Sequence, residues 1–280
     1  MDKLRPKKAL GQNFLTDANI LQRIVAAVEI GPDDAVLEVG PGRGALTELM
    51  AEKAHRLVAV ELDRQLVPIL RTAFLLRPNV EIVEADVLSV DLPHLLTERW
   101  GGRWKVAANL PYNISSQVLF RFLDCRAHFS LLVLMFQKEV GDRLLALPGT
   151  KEYGILSVFC RLHFDITRVT NVRPGAFHPV PKVDSVVLRF VPLGAPRVDV
   201  GDEAFFRRVV KAAFSQRRKT LWNCLRAANL AGSDDTLLAA LHQCEIDGKR
   251  RGETLCLEEF AALARALAPE GEAGPESRQA

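Results

Sequence analysis

Val36-Leu37-Glu38-Val39-Gly40-Pro41-Gly42-Arg43-Gly44-Ala45-Leu46-Thr47 decides how this chain of 280 residues is read. A short apolar run meets three glycines at alternate positions, and a helical pattern follows. Glycines there let the backbone turn sharply and approach a ligand without a Cβ in the way. The spacing is G-x-G-x-G, whereas a dinucleotide fingerprint asks for G-x-G-x-x-G beside a pyrophosphate. The strand also ends in an acid, Glu38, which suits a ligand carrying positive sulfonium and ammonium groups better than a pyrophosphate. The segment favours such a sulfonium donor over a nicotinamide or flavin dinucleotide, with a purely structural glycine loop as the third reading.

Outward from this stretch, short β-rich runs alternate with helical patterns. Strands are expected at 35–39, 56–61, 80–84, 104–108 and 130–136, and helices at 45–53, 64–74 and 115–123. Such alternation predicts an α/β fold with a parallel sheet covered on both faces. Upstream, Thr16 or Asp17 can cap a helix whose apolar positions Ile20, Ile24, Val25 and Val28 recur at helical spacing. Downstream, 153–164 reads as helix, and two β-like stretches, 165–172 and 185–192, flank the proline-rich loop 173–182. Residues 193–200 read as a linker, and 202–267 is helical almost throughout. The expected division is an α/β domain over 1–198, a small all-helical domain over 199–267 and a disordered tail over 268–280.

Three further acids stand where strands end. A carboxylate at Glu61 can accept both ribose hydroxyls of an adenosine, a role dinucleotide enzymes share, so it does not choose between the two cofactor classes. Asp63 can cap the helix that begins at Arg64. Asp86 is placed to accept the N6 amine of the cofactor's adenine. After the fourth strand comes Asn109-Leu110-Pro111-Tyr112. An aromatic amine is a poor nucleophile because its lone pair is delocalised into the ring. Two acceptors on its protons, the Asn109 side-chain oxygen and the Leu110 carbonyl, would return that lone pair for attack, with Pro111 stiffening the turn. Tyr112 offers a flat face on which a base can stack. An Asn-x-Pro turn after a strand is also ordinary punctuation; the glycine loop and the acids before it are what favour chemistry.

The net charge is only +3, and its distribution carries more information. Residues 268–280 hold Glu270, Glu272 and Glu276 against Arg278, leaving +5 for the rest. Lys3, Arg5, Lys7 and Lys8 cluster at the start. Arg207, Arg208, Lys211, Arg217, Arg218 and Lys219 follow one another with no acid among them, a pattern of either a solvated helix face or a phosphate-contacting surface. The five cysteines form no C-x-x-C pair and fit reduced thiols in a cytosolic protein. No histidine spacing supports a metal site. The longest apolar run, 131–136, is too short to cross a bilayer, and the basic N-terminus is not followed by a signal-peptide core.

Taken in order, these motifs resemble the ribosomal RNA adenine dimethyltransferases, and within them the bacterial small-subunit group. The resemblance spans roughly 7–267. It rests on Leu10-Gly11-Gln12-Asn13-Phe14-Leu15, the glycine loop, Glu61 with Asp63, Asp86, Asn109-Leu110-Pro111-Tyr112, Phe177-His178-Pro179-Val180-Pro181-Lys182-Val183-Asp184-Ser185 and Ala213-Phe214-Ser215-Gln216-Arg217-Arg218-Lys219-Thr220-Leu221. It implies a Rossmann-like class I methyltransferase sheet with S-adenosyl-L-methionine as donor. It further implies that Asn13 and Leu15 close over the cofactor, that Gly40, Gly42, Glu61, Asp86 and Asn109 line its pocket, and that Phe177 stacks on the target base opposite Tyr112. Leu110, where many amino-methyltransferases have proline, would leave room for an amine already carrying one methyl. The product would then be dimethyladenosine at two adjacent adenines near the 3′ end of small-subunit rRNA. The base must leave its stack, so a loop or flipped nucleotide is the expected substrate. Lys7, Lys8, Arg207, Arg208, Lys211, Arg217, Arg218 and Lys219 would hold flanking phosphates. The expected setting is a monomer acting in the cytoplasm on a preribosomal particle. A large-subunit rRNA methyltransferase and a non-catalytic assembly factor are the alternatives; the last two motifs fit the small-subunit group better, and the intact catalytic segment argues for chemistry.

Overall fold

Strands made of aliphatic residues at every position need cover on both faces, and the buried runs of the first half form such a sheet. A computed structural model describes residues 11–268; the calls on Lys7, Lys8 and the tail fall outside them, apart from its first residue. The chain begins β1 (Phe14–Leu15), α1 (Ala18–Val28), β2 (Ala35–Val39), α2 (Ala45–Ala51), β3 (Arg56–Glu61), α3 (Val67–Ala73), β4 (Val80–Glu84) and α4 (Leu92–Thr97). It continues β5 (Trp104–Asn109), α5 (Ser115–Asp124), β6 (Phe129–Gln137), α6 (Lys138–Leu145), α7 (Ile155–His163), β7 (Phe164–Val172), β8 (Phe177–His178) and β9 (Ser185–Pro192). Four helices follow: α8 (Glu203–Ala213), α9 (Leu221–Ala227), α10 (Asp234–Gln243) and α11 (Leu257–Leu267).

The seven-stranded sheet has the order β4-β3-β2-β5-β6-β9-β7. The pairs β4–β3, β3–β2, β2–β5 and β5–β6 are parallel, and β9 runs antiparallel to β6. All five residues of β2 are buried, as a central parallel strand requires. The α/β expectation therefore holds, and β2 to β4 match the expected strands residue for residue. Helix α1 starts at Asp17, whose side chain accepts from the amides of Asn19 and Ile20. It stops at Glu29, which adopts the left-handed conformation. Helix α3 begins three residues later than expected, because the Asp63 carbonyl accepts from Leu66 and Val67 in a preceding turn and Pro68 suits a first helical turn.

The described residues separate into two compact units: 11–141 with 165–192, and 142–164 with 193–268. The second thus takes in 142–164, read from sequence as part of the α/β domain, and begins near 193 rather than 199. Its core explains the difference. The α7 residue Phe159 packs against Phe206 of α8 with ring centroids 6.3 Å apart, and Tyr153 sits edge-on to Phe214 at 6.0 Å. Phe214 in turn meets Phe260 of α11 at 5.8 Å. Burying these rings together outweighs sequence continuity with the sheet.

Candidate active site

Parallel register carries the ends of neighbouring strands to one edge: Val39 lies opposite Val60 and Ala108, and Glu61 opposite Glu84. A cavity of about 380 Å³ opens at this carboxyl edge, where open α/β sheets bind ligands. The glycine loop forms one wall. Gly40, Gly42 and Gly44 all have positive φ, at 69°, 59° and 82°, which side chains rarely tolerate. A Cβ on Gly42 would also come within 2.9 Å of the Phe14 ring, so the loop leaves no room there for a larger residue.

Glu61 holds that loop in place. Its Oε2 accepts from the Gly42 amide at 3.1 Å and its Oε1 from the Asp63 amide at 2.8 Å. Each oxygen keeps a further lone pair for a ligand hydroxyl. Burial raises the Glu61 pKa above the usual carboxylate range, against the lowering effect of these amides. Asp63, 3% exposed, accepts from the side chain of Gln12 at 2.9 Å and from the Gln65 amide at 3.0 Å. It therefore fixes the turn into α3 and ties the N-terminal segment to the strand end. Asp86 lines the cavity half-buried, its Oδ1 accepting from the Leu88 amide at 2.8 Å.

Glu38 behaves unlike a charged strand-end acid. It is 1% exposed, Thr47 donates to its Oε2 at 2.6 Å, and burial pushes its pKa up to about 8. Native Glu38 keeps its proton up to that pH, whereas an unfolded chain releases it near 4.5. The native state binds the extra proton between these values, so stability falls as pH rises from about 5 to 8. Glu38→Gln should flatten this part of the Tm–pH profile, an effect on the order of a few kcal/mol. A slope unchanged in that variant would assign the proton elsewhere.

The opposite wall is the segment 109–114. The Asn109 amide nitrogen donates to the Asn13 carbonyl at 3.0 Å. Only the nitrogen of an amide can face a carbonyl, so this bond fixes which way the group points. No residue among the described ones donates to Oδ1, and Asn109 lines the cavity. Leu110 is 1% exposed, and the Tyr112 hydroxyl lies 2.6 Å from Ser185 Oγ.

The N-terminal segment closes the cavity from above the loop. Phe14 and Leu15 pair antiparallel with His178 and Phe177, and the Arg43 guanidinium sits 4.8 Å over the Phe14 ring. Asn13 and Leu15 both line the cavity. Phe177 does not. It is 2% exposed within the hydrophobic core and pairs with Leu15 in the short sheet, whereas the resemblance placed it against the target base. Gln12, Asn113 and Ser185 were not singled out from sequence as site residues. Gln12 lies in a quoted motif, but nothing local marked its bond to a residue 51 positions away.

A family model described as ribosomal RNA adenine dimethylase matches residues 3–268. The chain belongs to that family. A dimethylase-family relative from Geobacter metallireducens, named ribosomal RNA small subunit methyltransferase A, is 66% identical over 264 residues, 94% of this chain and 96% of its own length. Another of that name, from Geobacter sulfurreducens, is 61% identical over 270 residues, 96% and 98% of the two chains. Among solved structures, a dimethyladenosine transferase from Plasmodium falciparum gives a TM-score of 0.78 at 27% identity, covering 89% of this chain and 95% of that one. The 23S rRNA methyltransferase ErmE gives 0.68 at 26% identity, covering 91% and 99%. The dimethylase-family chain is thus a methyltransferase with a class I, Rossmann-like sheet, and S-adenosyl-L-methionine is its methyl donor. The cavity's lining is compatible with that donor: Gly42, where a Cβ would meet the Phe14 ring, and the carboxylates Glu61 and Asp86 all line it.

The helical unit presents the cationic run. Arg208, Lys211, Arg217, Arg218 and Lys219 are exposed. Arg207 is not a free cation: it pairs with Glu203 at 2.9 Å and lies 5.6 Å over the Phe159 ring. The sequence pattern also missed a neighbour. The amides of Leu221 and Trp222 donate to the carbonyls of Arg250 and Gly248, at 2.7 and 3.0 Å. This backbone pairing sets the segment bearing the exposed Lys249 and Arg251 against the start of α9, which follows Arg217–Lys219 in the chain. No helix among the described residues is long and apolar enough to cross a membrane.

Proposed function

We propose that this chain dimethylates the N6 amines of two adjacent adenines in a loop near the 3′ end of small-subunit rRNA, within a preribosomal particle. The observation that carries the reading is the Asn109 amide at the cavity wall, its nitrogen taken by the Asn13 carbonyl and its oxygen left without a donor among the described residues. Two relatives named for the small subunit, each more than 60% identical, support the choice of rRNA. On this reading the chain acts as a monomer in the cytoplasm.

The bound donor supplies an electrophilic methyl on a sulfonium. Gly40 and Gly42 accept its close approach, Glu61 takes the ribose hydroxyls on its spare lone pairs, and Asp86 accepts from the adenine amine. Asn13 and Leu15 cover it. On the substrate side, Asn109 Oδ1 and the Leu110 carbonyl grip the two protons of the target amine and favour a pyramidal nitrogen with an available lone pair. Pro111 stiffens the turn that presents that carbonyl, and Tyr112 stacks on the base. Orientation and proximity are the main contribution, because the alkylated nitrogen is acidic enough to lose its proton without a strong base. The preorganised acceptors, Asn109 half-buried and Leu110 buried, are held in place before the base arrives, so they cost no reorganisation at the moment of reaction.

The exposed cations Arg208, Lys211, Arg217, Arg218 and Lys219 hold phosphates flanking the flipped base, with Arg207 shaping the helix they stand on. Neutralising Arg217 and Arg218 together should weaken RNA affinity about tenfold at low salt. It should also make the slope of log K against log salt shallower by roughly one to two. An unchanged slope would move the phosphate contacts off this segment. The reading as a whole is tested by offering labelled S-adenosylmethionine to immature small and large subunits side by side. Label entering small-subunit rRNA supports it, and label confined to the large subunit overturns it.

A further inference from the structure

The hydroxyl of Ser185 has no local reason to exist. Ser185 opens β9 and is followed by the buried aliphatic residues Val186, Val187 and Leu188. It is itself 0% exposed. An interior hydroxyl is costly unless it is hydrogen-bonded, and its partner is not in the strand but in the catalytic turn: Tyr112, whose hydroxyl lies 2.6 Å away. The serine's backbone is fixed by pairing opposite Gln137, and the neighbouring Asp184 carbonyl accepts from the Lys138 amide at 2.9 Å. Ser185 therefore holds the far end of the Tyr112 ring from a rigid strand. The near end is set by the turn, where the Ile114 amide donates to the Pro111 carbonyl at 3.1 Å. A ring anchored at both ends cannot swing about χ1 away from that position.

We propose that Ser185 is a positioning residue, which fixes where the Tyr112 ring stands by holding its hydroxyl, so that the target base is presented to Asn109. The proposal rests on the reading of Tyr112 as the stacking platform. It makes the phenol group of Tyr112, and not only its ring, part of the device. Because RNA is held over a wide cationic surface, loss of the lock affects turnover and leaves affinity alone.

Ser185→Ala should lower kcat about tenfold with KM for the RNA substrate within about twofold. Tyr112→Phe removes the same bond from the other side without touching β9, and should match it. The double variant should then be no worse than either single one, since only one bond is lost. The chain has two tyrosines, Tyr112 and Tyr153. In protein labelled with 3-fluorotyrosine, the ¹⁹F resonance of Tyr112 should move in Ser185→Ala, while that of Tyr153 stays in place and reports an intact fold. Full turnover in both single variants, additive losses in the double variant, or an unmoved Tyr112 resonance would each overturn the proposal. Tyr112→Ala separates it from the reading beneath it. Near-normal turnover in that variant would remove the stacking platform altogether. A severe defect there beside a silent Ser185→Ala would remove only the positioning role.

Discussion

Asn109→Ala should lower kcat for methyl transfer by on the order of 10²–10³-fold, while RNA affinity stays within a few-fold and the fold is kept. The size follows from what is deleted: a preorganised acceptor on the wall of the cavity, whose loss removes stabilisation specific to the transition state. Removing it leaves the Asn13 carbonyl without the Asn109 amide and the amine with one acceptor instead of two. Affinity survives because the phosphates are gripped elsewhere. Asn109→Asp provides a sharper control. It keeps the shape but replaces the donor that faces the Asn13 carbonyl at 3.0 Å with an acceptor, so the side chain loses its orientation. Activity should fall well below wild type even though an oxygen is still available. Single-turnover rates with cofactor saturating check both variants, and wild-type rates in Asn109→Ala would refute the mechanism.

The second large effect is expected at Glu61. This side chain satisfies two amides, of Gly42 and Asp63, as well as facing the cavity. Hydrogen bonds to a charged group are worth about 1.5–3 kcal/mol each, and truncation strands their partners in a buried place. Glu61→Ala should weaken cofactor binding by roughly 10- to 100-fold and lower Tm as the glycine loop loses its anchor. Glu61→Gln should lie between, because one amide oxygen replaces two carboxylate oxygens and the new NH₂ opposes an N–H donor. Calorimetric titration with S-adenosylmethionine, beside thermal melts, separates the two contributions. Unchanged affinity in Glu61→Ala would move the ribose contact to another residue.

Much of this architecture is legible from local pattern. The strands of the parallel sheet are continuous aliphatic runs between turn residues, and the acids at their tips stand where register later aligns them. What local pattern could not carry is pairing over distance. The two-residue strand Phe14–Leu15 is too short to show a period, and its partner lies some 160 residues away. That pairing buries Phe177 and explains why an aromatic that the resemblance assigned to base stacking sits in the core. Helix α4 is not among the expected helices, although Asp91 accepts from the His94 amide as its cap and Pro93 stands in its first turn. Residues 142–164 follow the sheet in sequence yet join the helical unit, because rings such as Phe159 find their partners there. The site shows the same split. Glycines and acids announce themselves by spacing, whereas the orienting carbonyl of Asn13 is a backbone group that no sequence pattern displays.

The most direct test of the function is a nucleoside map of the product. Immature small subunits that lack the modification would be incubated with the purified protein and S-adenosylmethionine, and their rRNA digested and read by mass spectrometry. Two adjacent N6,N6-dimethyladenosines near the 3′ end, absent when Asn109→Ala replaces the wild type, are the predicted result. A single monomethylated adenine, methylation at a ring nitrogen or ribose, or no modification at that end of the RNA would contradict it.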